Sequence, residues 1–180
     1  DFSGQSRFHG MVFDHEGYQV VVATTWRKPF MSGVEATSIV VFSIDPINGT
    51  VLWVEHIQVH EDITRIDNVS IIQSETGDFI VAYDYSEAYP FNPSPFYGVG
   101  AARISSSGTT MFVSDFFLGT TGTSNPLSLH HVMEDGAGNL VLAGEYDLGG
   151  GVVEPFIVQM DALSGGLVNN LFHYNFPNRI

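Results

Sequence analysis

Three strings decide how this chain is read: Gln19-Val20-Val21-Val22-Ala23-Thr24-Thr25-Trp26, Phe79-Ile80-Val81-Ala82-Tyr83-Asp84-Tyr85 and Leu140-Val141-Leu142-Ala143-Gly144-Glu145-Tyr146. Placing Ala23, Ala82 and Ala143 in register gives spacings of 59 and 61 residues. Each string follows a turn signal that ends in glycine: Asp14-His15-Glu16-Gly17, Ser74-Glu75-Thr76-Gly77 and Asp135-Gly136-Ala137-Gly138. Gly17, Gly77 and Gly138 then stand 60 and 61 residues apart. A fixed period of this kind decides architecture before any motif does.

The register extends outward. Ahead of each turn lies a short apolar stretch: Met11-Val12-Phe13, Ile71-Ile72 and Val132-Met133. Beyond each string comes a third strand: Ser38 to Ile44, Gly100 to Ile104 and Phe156 to Met160. A second glycine turn follows (Asp45 to Gly49, Ser105 to Gly108, Asp161 to Gly165), and then a fourth strand begins at Val51, Met111 and, less clearly, Leu167. β-Branched and aromatic residues fill these runs, hairpin-type turns separate them, and no stretch keeps a helical apolar period over three turns. The prediction is an all-β single domain over 1–180, with antiparallel four-stranded repeats at about 7–60, 66–119 and 127–176. Meandering four-stranded units read as β-propeller-like blades. At about 60 residues they exceed the usual ~40–50, so the surplus belongs in loops, the longest being 86–98. A β-solenoid repeats at shorter periods, and a jelly roll does not account for threefold register.

Ser43-x-Asp45-x-x-Asn48-Gly49-x-x-x-Trp53 resembles the docking motif of quinoprotein-type propellers. That resemblance implies that the Asp and Gly shape a tight turn and that the Trp packs on the neighbouring blade. The third unit keeps Asp161-x-x-Ser164-Gly165 but has Asn169 at the Trp position, and the second keeps only Ser107-Gly108. The string from Asp135 to Gly144 also resembles bacterial β-propeller repeats of secreted and surface proteins. The resemblance implies blades and carries no quinone cofactor with it.

Composition narrows the partners. The chain has 180 residues, 44% of them apolar, and 20 Asp+Glu against 6 Lys+Arg give a net charge of −14, with Lys28 the only lysine. Such a surface repels polyanions, which argues against nucleic acid and against anionic membrane surfaces. No apolar run approaches the ~18 residues of a membrane span, so no membrane insertion is expected. Cysteine is absent, which removes disulfides and thiolate chemistry. A chain opening on Asp1 rather than methionine is expected to have lost a leader or a larger N-terminal portion. An extracellular or cell-surface setting suits these features.

Propellers close with about four or more blades, so three units predict completion by further blades of the same assembly, a six-bladed ring of two copies, or propagation as a filament. The functional expectation is therefore a non-catalytic structural or interaction module that self-associates. The alternative is a carbohydrate-binding or carbohydrate-active domain. It would use the aromatic segment 83–97, in which Tyr85, Tyr89, Phe91, Phe96 and Tyr97 stack on sugar rings while Asp84, Glu87 and Asn92 accept hydroxyl hydrogen bonds. The same rings serve equally to pin a long loop or to fill a subunit contact.

Other candidates each have a plain structural reading. His9 and His130 occupy equivalent first-strand positions with Val69 between them, so they converge on a metal or are ordinary hydrogen-bonded histidines. His131 must face away from its neighbour, and His56 and His60 lie about 13 Å apart along a strand, too far for one ion. Thr25, Asp84 and Glu145 are equivalent, each ahead of an aromatic. Trp26, Tyr85 and Tyr146, with Trp53, are expected to pack between blades, and the acids are solvated strand ends or half of an acid–base pair. No cofactor is assigned. Calcium is the one considered, with Glu134, Asp135 and Asn139 as oxygen donors, though without the spacing of a known cage. Asn48 and Asn68 begin glycosylation sequons, and no nucleophile elbow or phosphate loop occurs.

Overall fold

The computed structural model describes residues 5–29, 35–59, 63–87, 96–117, 127–149 and 152–172. Among these residues, twelve strands make three antiparallel sheets, each a simple meander. Sheet 1 holds β1 (Gln5–Phe13), β2 (Val20–Pro29), β3 (Glu35–Ile44) and β4 (Val51–Ile57). Sheet 2 holds β5 (Ile63–Gln73), β6 (Phe79–Glu87), β7 (Phe96–Ile104) and β8 (Thr110–Phe117). Sheet 3 holds β9 (Leu127–Glu134), β10 (Asn139–Gly149), β11 (Val152–Asp161) and β12 (Leu167–Phe172). The architecture is all-β and propeller-like, and the three sheets do not close into a ring.

Turn chemistry explains the period. Gly17, Gly77 and Gly138 each return an N–H to the residue three earlier, at Asp14, Ser74 and Asp135. In the second turn of sheet 1, Gly49 donates to the Asp45 carbonyl at 2.8 Å while Asp45 Oδ1 accepts from Ile47 N at 2.7 Å. The aspartate and glycine thus shape that turn together.

Burial follows the position of each sheet. Sheet 2 is packed on both faces. Phe79, Val81, Tyr83 and Tyr85 of β6 face sheet 1, while Ile80 and Ala82 face sheet 3, so the whole run Phe79 to Ser86 is buried. Sheets 1 and 3 show the alternation of a half-covered sheet. Val21, Ala23 and Thr25 of β2, and Phe156, Val158 and Met160 of β11, are buried. Ile157 between the latter is 40% exposed, and on sheet 1 Val51, Leu52 and Val54 are each about half exposed.

The two contacts between sheets are built alike. Trp53 of β4 lies over Gly108, where an added Cβ would stand 2.5 Å from the indole, and its ring meets Phe79 at 6.1 Å. Phe112 of β8 lies in the same way over Gly165 of sheet 3. Gln19 Nε2 donates to the Ser106 carbonyl at 3.4 Å, and Arg103 Nη1 donates to the equivalent Ala162 carbonyl at 2.5 Å. His15 N donates to Gln73 Oε1 at 2.6 Å, and Glu75 N to Glu134 Oε2 at 3.0 Å. These bonds join the tight turns of neighbouring sheets, so all six turns lie at one end of the array.

Candidate functional site

The first strand of every sheet is irregular at the same level. In β1, Phe8 pairs with Thr24 and Gly10 with Ala23, leaving His9 unpaired. In β9, Leu129 pairs with Gly144 and His131 with Ala143, leaving His130 unpaired. In β5, Asp67 and Asn68 together face the single residue Asp84, between the pairs Ile66–Tyr85 and Val69–Tyr83. These are β-bulges, two residues against one, which turn a side chain out of the regular alternation.

Each bulge side chain meets the residue at the equivalent position of the second strand. His9 Nε2 lies 2.9 Å from Thr25 Oγ1, Asn68 Nδ2 donates to Asp84 Oδ2 at 2.6 Å, and His130 Nε2 lies 3.4 Å from Glu145 Oε1. The result is one polar pair repeated three times. β5 contacts both β1 and β9, and the three strands enclose a cleft of about 410 Å3. Its walls are residues 7–11, 68–71 and 129–130.

The three pairs differ in electrostatics. Asp84 is 2% exposed and accepts four hydrogen bonds: Asn68 Nδ2 at 2.6 Å, Asn68 N and Leu129 N at 2.8 Å, and Asp67 N at 3.3 Å. The bond from Leu129 ties sheet 2 to sheet 3 beneath the cleft. Burial pushes the Asp84 carboxyl above the usual carboxylate value, against bonds from Asn68 and Leu129 that hold it down and with the Asp67 charge adding to the rise. His9 is pulled below the ordinary imidazole value, first by burial and then by the Arg7 charge, with Asp67 opposing. His130 and Glu145 are both about half exposed, so their contact is screened by water.

The other sequence candidates fall as follows. His9 and His130 line one cleft, but among the described residues no group of three or more His, Asp, Glu or Cys could hold a metal ion. His56 and His131 are exposed, and His60 lies outside the described residues. Asp135 and Glu134, two of the proposed calcium donors, already accept hydrogen bonds. Asp135 accepts from Ala137 N, Asn139 N, Asn139 Nδ2 and Gln159 Nε2, which together lower its carboxyl to about 2, and Glu134 accepts from Glu75 N.

Tyr85 is buried against the sheet 1 core and over Gly98, so its ring has no face for a sugar, and it packs between sheets instead. Tyr146 packs against the core between sheets 2 and 3, and Trp53 against the other. Tyr97 is half-buried beside that second core. Trp26 sits in β2 opposite Ser6 and Ser38, Phe96 opens β7, and Tyr89, Phe91 and Asn92 lie outside the described residues. Asn48 is exposed and donates to Asp45, whereas Asn68 Nδ2, the atom a sequon glycan would occupy, is engaged by Asp84.

Sequence reasoning missed the bulges, the pairing of Asn68 with Asp84, and Arg7 on the cleft wall. The equivalence of Thr25, Asp84 and Glu145 was the available signal. A second cleft, of about 670 Å3, lies at the turn end between sheets 1 and 2. Asp14, Glu16, Tyr18, Trp53 and Glu75 are among its lining residues.

Fold and cleft together define a propeller-like all-β protein with a polar cleft where its first strands converge. Seven chains of known structure match it. One is an endo-arabinase from Bacteroides thetaiotaomicron VPI-5482, with a TM-score of 0.51 and 15% sequence identity over 96% of this chain. The match covers 65% of that enzyme, so this chain spans just under two thirds of its length. At this identity the likeness is one of fold. No protein-family model matches the chain, and no curated protein sequence matches it either. The expectation of a non-catalytic structural module is corrected here: a solved protein of this fold is an endo-arabinase, a carbohydrate-active enzyme.

Proposed function

We propose that this chain belongs to a carbohydrate-binding or carbohydrate-active domain that holds a glycan in the cleft between β1, β5 and β9. The observation that carries this reading is the threefold polar pair. Sugar hydroxyls need donors and acceptors held in place, and His9, Asn68 and His130 are each set by a bulge and by a partner behind it. Phe8, 61% exposed, and Met11, 58% exposed, add apolar surface for the C–H face of a sugar ring. Asp84 acts behind Asn68 as a positioning group. Its oxygens already accept four bonds, and no Asp or Glu lines the cleft among the described residues. Glycosidic hydrolysis uses two carboxylates flanking the bond, so the described part of the site supports recognition first.

The endo-arabinase fold supports the carbohydrate class, and the Asp45–Gly49 turn with Trp53 on the next sheet supports kinship with docking-motif propeller repeats. A place outside the cytoplasm or on the cell surface goes with this reading, because polymeric glycans do not cross membranes. The test is calorimetric titration with a panel of soluble arabino-, galacto- and uronate-containing oligosaccharides. Binding of at least one, weakened about tenfold in Asn68→Ala by loss of a hydrogen bond and its support, is expected. No binding by any member at millimolar ligand overturns the reading.

A further inference from the structure

Charge is distributed against the overall trend at this cleft. The chain carries −14 with histidine neutral, yet among the described residues the cationic Arg7 lines the cleft with the polar rings of His9 and His130, and no carboxylate does. The nearby acids are engaged elsewhere. Asp84 is buried under four donors, Asp67 pairs with Arg65 at 2.7 Å, and Glu145 reaches the imidazole of His130. The cleft at the turn end is the reverse case, with Asp14, Glu16 and Glu75 and, among the described residues, no arginine or lysine on its walls.

Arg7 is unlike Arg65 and Arg103. Arg103 is buried and committed to Asp78, Thr76 and the Ala162 carbonyl, and Arg65 is committed to Asp67. Arg7 is exposed, and its one described bond runs from Nη1 to the Asp67 carbonyl at 3.4 Å, the long end of hydrogen-bonding range. That leaves the flat fork of the guanidinium presented to the cleft, the geometry that matches a carboxylate with two parallel bonds. On β5 the half-buried Ile71 lines the same cleft. An aliphatic or aromatic surface next to a carboxylate-matching fork is what a sugar acid requires: a C–H face on one side and a C6 carboxylate on the other.

From this juxtaposition we infer that the cleft selects glycans bearing a carboxylate, that is, short uronate-containing oligosaccharides, over neutral ones. The inference rests on the carbohydrate reading above and sharpens it. The surrounding acidic surface repels long polyanions, while a cleft of about 410 Å3 has room for a short segment. The selected ligand is therefore short, or a terminal or isolated uronate of a mostly neutral chain.

The experiment compares α-1,4-linked digalacturonate with its neutral counterpart, α-1,4-linked digalactose, which differs only in C6 oxidation, and adds an arabino-oligosaccharide and a tetraglutamate peptide. Digalacturonate is expected to bind about tenfold more tightly than digalactose, the weight of one charge-assisted bidentate contact. Added salt should narrow that gap. Arg7→Gln should cost about tenfold in digalacturonate affinity, Arg7→Lys less, and Glu16→Gln in the other cleft nothing. Arg7 is exposed, so these variants keep the fold, which a circular dichroism melt checks. Equal affinity for the two disaccharides overturns this inference and leaves the carbohydrate reading standing. Binding of no sugar at all overturns both. Tetraglutamate binding as tightly as digalacturonate overturns the inference too, because the cleft would then read charge without reading a sugar.

Discussion

The two sheet-to-sheet contacts share a plan and differ in chemistry. Between sheets 1 and 2 the turn carbonyl is met by a neutral amide: Gln19 donates to the Ser106 carbonyl while its own Oε1 accepts from Ser43 Oγ at 2.6 Å and Trp53 Nε1 at 3.2 Å. Between sheets 2 and 3 it is met by a charged guanidinium: Arg103, 2% exposed, spans Asp78, Thr76 and the Ala162 carbonyl. The backbone acceptor sits at the same place in both turns, so the repeat fixes the target and leaves the donor free to change. An amide can lose its partner to water at modest cost. A buried guanidinium and its carboxylate cannot.

The largest effect should therefore come from Arg103→Ala, which strips Asp78 of its cation and leaves the Ala162 carbonyl bare. A loss of about 3 kcal/mol or more in urea-unfolding free energy is expected. A loss under ~1 kcal/mol would erase the distinction between the two contacts. Next comes the glycine under the indole. Gly108→Ala meets both a left-handed backbone, φ +89°, and the Trp53 ring, whereas Gly49 has φ +74° and open space around it. Both alanines should destabilise by the backbone cost of about 1 kcal/mol, and Gly108→Ala by about 1 kcal/mol more. Identical losses would mean that the indole yields freely. Gln19→Ala should cost about 1 kcal/mol, the ordinary weight of a neutral hydrogen bond.

The smallest effects are in pH dependence, and their signs oppose one another. Asp84 is protonated more easily in the folded chain than in the unfolded one. Its contribution is complete below the ordinary carboxylate value of 3.8 and is lost as pH rises through the raised value. Asp135 does the reverse: its contribution is complete above 3.8 and is lost as pH falls through about 2. Denaturation midpoints followed across the acid range should show Asp84→Asn removing a decline towards neutral pH, and Asp135→Asn removing a loss on the acid side. Unchanged profiles in both variants would break the assignment.

How much of this was legible depends on range. The period was visible because six turns each needed a glycine, and all six have positive φ, at Gly17, Gly49, Gly77, Gly108, Gly138 and Gly165. Burial of the second sheet on both faces was not legible, because the strings Val20 to Ala23 and Leu140 to Gly144 of the half-covered sheets are apolar in the same way. The role of Phe112 was within reach: it stands four residues after Gly108, as Trp53 does after Gly49. Arg103 was not legible, because a lone arginine in an apolar strand gives no sign of an acceptor 59 residues away. The bulges were not legible either, since two residues pairing against one is a property of the partner strand as much as of the bulged one. The expectation of a non-catalytic structural module came from counting units against a closed ring, and the likeness to an endo-arabinase corrects it.

One consequence of the turn arrangement reaches beyond stability. The six glycine turns and every described turn-to-turn bond occupy one rim, while the second strands end and the third strands begin at the opposite rim, at Pro29 and Glu35, Glu87 and Phe96, and Gly149 and Val152. The chain between those ends is five, eight and two residues long in the three units. Assembly is thus governed at one edge and variation is admitted at the other. A scaffold partitioned in this way can acquire new ligands by lengthening or exchanging segments on the permissive rim, without renegotiating how its sheets dock.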